Sequence, residues 1–241
     1  MASTPQQPDG ADRQLWFSPP GSQGIRRQAL TRERVTAEAL EIISSDGAAA
    51  LSMRALAARL GVVPGALYRH VRSKDQLCDL AVDEVLAEVD CRADGDLAWT
   101  GQVKALACRL RAVLEGHPGI AAMLQTRDPL GPHSLALAEA LLAALQRSGL
   151  PPQMTAPAFW LVRDYAVGFA LSDRTTVNEQ RLQDPATRRQ LHEFFRSLPA
   201  GRFPVLATLG EHVWADDRDR RFNAGLGTIL AGLQARAGTQ S

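Results

Sequence analysis

The chain of 241 residues has almost no net charge: 27 basic against 26 acidic side chains leave +1. A molecule-wide electrostatic attraction to nucleic acid is thereby excluded, and any basic footprint must be local. Cysteine is scarce. Cys78, Cys91 and Cys108 are odd in number and have no CxxC spacing, which argues against a disulfide framework or a zinc site and fits a reducing compartment. No apolar run is long enough to cross a bilayer, and the first residues lack the apolar core of a signal peptide. The expectation is a soluble, cytoplasmic protein with no membrane partner. Strand-like alternation is nearly absent, as are internal repeats and coiled-coil heptads. Catalytic signatures are missing too: no GxSxG, no HExxH, no P-loop, and no GxGxxG after a strand. The histidines are scattered. Asp216, Asp217 and Asp219 alternate with Arg218, Arg220 and Arg221 at a helix start, where carboxylates favourably meet the helix dipole. The sequence therefore predicts a non-enzyme without metal or cofactor. A helical enzyme, or a helical small-molecule-binding protein without DNA binding, are the alternative classes.

A hydrophobic content of 45% suits a folded core. Residues 1–30 are rich in Pro, Gly, Gln and Ser and read as a flexible N-terminal arm, with Leu15-Trp16-Phe17 as its one apolar cluster. Thr31 is placed to cap a first helix, along which Val35, Ala39, Ile42 and Ile43 form one apolar stripe ended by Asp46-Gly47. Ser52 caps a second helix carrying Leu56, Ala57 and Leu60, with Gly61 at its end. A short third helix runs from Pro64 to about Val71, and Ser73 caps a fourth carrying Leu77, Leu80, Ala81, Val85 and Val89. Further helical patterns cover about 97–116, 119–126, 133–149, 153–178, 184–198 and 216–236. The fold class is all-α: a three-helix domain over 31–75, a linking helix within 76–96, and a larger helical bundle over 97–241.

Two short helices around a glycine turn form a helix-turn-helix pattern. From Arg26 to Lys74 nine basic residues face four acidic ones, a local excess of +5. A helix entering the DNA major groove needs small residues at closest approach. Gly65 and Ala66 are small, and the Ala66 methyl can meet a thymine methyl. Tyr68, His70 and Lys74 are spaced to donate to phosphates, and Arg54 has the fork for a guanine edge. Taken alone, the same residues also describe an ordinary solvated helix face.

The segment Thr31–Val89 resembles the N-terminal domain of the TetR family of transcriptional repressors, through LSMRALAARLGV (51–62) and ALYRHVRSKDQL (66–77). The resemblance implies a homodimer, each third helix reading half of a palindromic double-stranded DNA operator. It assigns DNA contacts to Ser52, Arg54, Pro64, Gly65, Ala66, Tyr68, His70 and Lys74. Arg69 stands where relatives often carry an aromatic residue, and it is a candidate for a further contact. Arg26 and Arg27 sit on an arm that in the family reaches the minor groove, although solvated charge on a tail explains them equally well.

The bundle suggests two tasks, dimerisation and sensing. In the family a late long helix and the last helix pair with their copies. Here the candidate stripes are Phe159, Val162, Ala166 and Phe169, and Phe222, Leu226, Ile229, Leu230 and Leu233. Packing within one subunit explains each stripe equally well. A largely apolar effector pocket would draw on Leu106, Leu110, Leu114, Met123, Leu124, Gln125, His133, Leu137, Leu141, Trp160, Arg163, Asp164 and Tyr165. Spacing does not separate such a wall from plain core. The C-terminal half most resembles the tetracycline-repressor-like branch, with HPGIAAMLQTRDP (117–129) at the inducer region. Metal-dependent members keep a histidine just before a Thr-Arg pair. Here Met123-Leu124-Gln125 precede Thr126-Arg127, which argues against a magnesium-bound inducer. His117, before Pro118, reads as a helix start.

Overall fold

The computed structural model describes residues 29–93, 95–172, 184–214 and 217–238. Their regular structure is entirely helical, with no strand among the described residues. The N-terminal helices are α1 (Arg32–Asp46), α2 (Met53–Leu60) and α3 (Pro64–Leu67), followed by α4 (Lys74–Leu86). The bundle comprises α5 (Trp99–Gly116), α6 (Pro118–Thr126), α7 (Pro132–Gln146), α8 (Pro152–Leu171), α9 (Pro185–Ser197), α10 (Pro204–Trp214) and α11 (Arg218–Gly238). None of these helices is long and apolar enough to cross a membrane.

Local signals set the first four helices. Gly47 leaves α1 at φ 84°, and Gly61 ends α2 in the left-handed region at φ 67°, where a β-carbon is strained. The Ser52 hydroxyl accepts from the Ala55 amide at 3.1 Å, and the Ser73 hydroxyl from the Gln76 amide at 3.1 Å. Each supplies a partner for an amide that the first helical turn leaves unbonded. Gln76 in turn accepts from the Arg72 amide at 2.7 Å, a variant of the capping box. Val35, Ala39, Ile42, Leu51, Leu56, Leu67, Val71 and Leu77 meet in one core and are at most 1% exposed.

The third helix is shorter than its pattern predicts. Regular α-helix stops at Leu67, and a turn through Tyr68–His70 carries the chain to Val71, whose amide still bonds the Leu67 carbonyl at 3.0 Å. In the bundle, α8 packs on α5, α6, α7 and α11, while α4 lies against α1, α6 and α7. Helix α8 ends at Leu171: Ser172 leaves helical geometry, and its hydroxyl bonds back to the Gly168 carbonyl at 3.1 Å, while residues 173–178 of the expected helix lie outside the described residues. Helix α10 has no counterpart in the expected elements. It packs on α9, where the lack of a side chain at Gly210 makes room for the Phe195 ring.

Candidate DNA-binding surface and effector cavity

The turn and helix that follow Gly61 stand open at the surface. Val63 is 71% and Tyr68 55% exposed. Ser52, Arg54, Pro64, Gly65, Arg69 and Lys74 are exposed as well, while Ala66 and His70 are half-buried. Leu67 and Val71 anchor the segment from below, and Arg32 Nε donates to the His70 carbonyl at 3.3 Å. Lys74 is the first residue of α4. A cation there opposes the helix dipole, so its placement is better explained by an external anion than by helix stability. Arg26 and Arg27 lie outside the described residues.

A cavity of about 190 Å³ opens among α4, α5, α6, α7 and α8. Leu110, Leu124, Leu137, Leu141, Trp160 and Arg163 of the expected wall line it. Leu86, Asp128, Pro129, Leu130, Ser134, Leu135, Ala138 and Phe159 join them. Only tertiary structure brings these together, because they come from five helices and a loop. A more polar mouth of about 380 Å³ shares Asp128, Trp160 and Arg163 with the cavity and adds Gln125, Asp164 and Val167. The other expected wall residues stand elsewhere. Leu106 and Leu114 are plain core. Met123 is half-buried outside the lining. His133 is exposed at the start of α7, its backbone amide 3.4 Å from Asp83. Tyr165 faces α11, where its hydroxyl donates to the Phe222 carbonyl at 3.1 Å and its ring stacks on Phe222 at 5.3 Å. Burial pushes that phenol above its ordinary pKa, opposed by Arg111 and Arg221.

Two polar clamps join this bundle to α4. Arg127, just past α6, reaches Asp75 and Asp79 in the first turns of α4, at 2.5 and 3.1 Å. Asp83, 6% exposed, accepts from the Ser134 amide and hydroxyl, both at 2.8 Å, at the N-terminus of α7. Arg163 grips the end of α6 from the cavity side, donating to the carbonyls of Leu124 at 2.8 Å and Arg127 at 3.2 Å. The cavity wall, the end of α6 and the helix behind the recognition segment are therefore one bonded series.

The stripes expected to pair two copies are largely engaged inside one. Val162, Ala166, Phe222, Leu226, Leu230 and Leu233 are at most 6% exposed in the single chain. Phe159 lines the cavity, Phe169 sits edge-on to Phe222 at 5.1 Å, and Ile229 is half-buried. Apolar periodicity marks the buried face of a helix, and here the chain's own core claims most of that face. No group of His, Cys, Asp and Glu able to hold a metal occurs among the described residues. His117 instead pairs with Glu88, Nε2 to Oε1 at 3.1 Å, where α5 passes into α6.

Residues 35–80 match the family described as bacterial regulatory proteins, tetR family, and residues 93–237 match the tetracyclin repressor-like C-terminal domain. The chain belongs to the TetR family. An HTH-type transcriptional regulator of Saccharopolyspora erythraea is 34% identical over 235 residues, covering 96% of each chain. The HTH-type transcriptional repressor DrrR1 of Streptomyces coeruleorubidus is 34% identical, covering 86% of this chain and 78% of its own. Apo ActR of Streptomyces coelicolor superposes with a TM-score of 0.75 at 36% identity, over 88% of this chain and 98% of that one. This TetR family member is accordingly a DNA-binding transcriptional regulator of the helix-turn-helix type, a class that is not enzymatic.

Proposed function

We propose that this regulator is a homodimeric, cytoplasmic repressor of a palindromic operator, released by a small, largely apolar effector in the α5–α8 cavity. The observation that carries the reading is the exposed Val63–Lys74 surface joined, through α4 and its clamps, to an apolar cavity. Solved complexes of ActR with actinorhodin and with (S)-DNPA support a small-molecule effector. A dimer interface is supported by the outer faces of two helices. Leu161 of α8 is 48% exposed, and Ala224, Gly227, Thr228 and Ala231 line the exposed side of α11 at helical spacing. Such a slim stripe admits close approach of a second helix. Paired this way, the two α3 segments would meet successive major grooves roughly 34–36 Å apart. Effector would favour another separation, to the extent that it binds the two states unequally.

The test is a gel shift with the DNA upstream of the gene, across a salt series. Tyr68→Ala and Lys74→Ala should each weaken binding to all sequences and lower the salt slope by about one for Lys74. Unchanged affinity in both would refute the phosphate assignments. Arg54→Ala should relax preference at one base pair, at a cost of about 1–3 kcal/mol. An unaltered sequence preference would remove Arg54 from base readout.

A further inference from the structure

We infer that the effector of this cavity is a flat aromatic compound ending in a protonated amine. The inference rests on the cavity being the effector site, as proposed above. Inside, the wall is apolar apart from Ser134, whose hydroxyl proton is already donated to Asp83, and from Asp128 and Arg163, which it shares with the mouth. The rings of Phe159 and Trp160 meet edge to face at 5.0 Å and both line the space, a setting that favours a further ring. Cavities of about 150 Å³ accept benzene, so about 190 Å³ accommodates one or two fused rings.

The polar end is decided at the mouth. Arg163 is its one cation, and its side chain is 13% exposed. Its Nη2 already faces the carbonyls of Leu124 and Arg127 and, at 2.9 Å, Asp128. Its Nη1 faces Asp164 at 2.8 Å, and the guanidinium lies over the Trp160 ring at 5.0 Å. An anionic effector would have to displace these protein acceptors. Asp128 and Asp164, by contrast, each bond Arg163 through one oxygen and keep side-chain exposures of 65% and 63%. Two carboxylates against one guanidinium leave a formal charge of −1 across the cavity and its mouth. The open polar capacity lies mainly in acceptors, the second oxygens of Asp128 and Asp164, while exposed Gln125 offers both an amide oxygen and an amide NH2. An ammonium group satisfies them, and a carboxylate is repelled.

Three naphthalene probes differing in one end group test this by titration calorimetry on the intact protein: 2-(1-naphthyl)ethylammonium, the corresponding alcohol, and 1-naphthylacetate. The ammonium probe should bind at least about tenfold more tightly than the acetate at low salt, with a smaller ratio at high salt. Asp128→Asn and Asp164→Asn should each shrink that ratio by weakening the ammonium probe more than the alcohol. Ala138→Phe, which fills the cavity, should abolish binding of all three. Acetate binding equal to or tighter than ammonium, in a protein whose Ala138→Phe variant binds neither, would overturn the charge class and leave the cavity as the effector site. Absence of binding by all three, or binding that survives Ala138→Phe, would overturn the cavity reading and the inference with it.

Discussion

Gly131→Ala is expected to loosen the junction between α4 and α7, with a loss of about 3 kcal/mol in stability. A β-carbon at 131 would overlap the Asp83 carboxylate. Either α7 backs away from α4 or Asp83 swings out, and both moves break the bonds from the Ser134 amide and hydroxyl. A carboxylate buried to 6% exposure is then left without the donors that make its burial tolerable. For a chain of this size the loss corresponds to a fall in Tm of roughly 6–12 °C. Because the junction also couples the cavity wall to α4, operator affinity should fall beyond what partial unfolding explains. Scanning calorimetry and a gel shift below the transition check both parts. A variant that melts within a degree of the parent would show that the clamp contributes little.

Phe222→Ala should be at least as damaging, at about 3–5 kcal/mol. Phe222 is fully buried, stacked on Tyr165, edge-on to Phe169, and covered by the Arg111 guanidinium 4.6 Å from its centre. Truncation opens a void where α5, α8 and α11 meet. It also strips an aromatic face from Arg111, whose remaining partners are Glu115, Asp219 and the Phe169 ring. The outer stripe of α11 should then lose its fixed placement, so the proposed dimer should weaken together with the fold. Urea denaturation and sedimentation measure the two. An unmoved urea midpoint would sink the claim that this stack is the keystone of the bundle.

The N-terminal half was legible because its determinants are local. Ser52 and Ser73 cap, Gly47 and Gly61 terminate, and the buried stripe of α1 falls at its periodic positions. The bundle was less so, for three separate reasons. The apolar stripes of α8 and α11 show which face is buried, not which surface buries it, and in the single chain most of both stripes is already internal. Helix α10 carries Val205, Leu206, Leu209 and Val213 at helical spacing, but proline-flanked and short, it reads as loop until α9 supplies a partner. The acidic mouth depends on Asp128 in a loop and Asp164 on α8 converging on Arg163, thirty-five residues from the first of them and adjacent to the second, and no spacing rule joins such a pair. The exposed Tyr68 surface, in contrast, needed only its motif.

Helix α4 begins at Lys74, three residues beyond the anchored Val71, with only Arg72 and Ser73 between. That interval contains no glycine and is bridged by two hydrogen bonds, at 2.7 and 3.1 Å. The joint therefore has little slack to absorb movement. A helix of 13 residues is about 20 Å long, so a tilt of about 6° displaces one end by about 2 Å. A displacement of that size separates a hydrogen-bonded group from one out of reach, so under the proposed reading a tilt of only a few degrees in α4 would decide whether a phosphate at Lys74 is held.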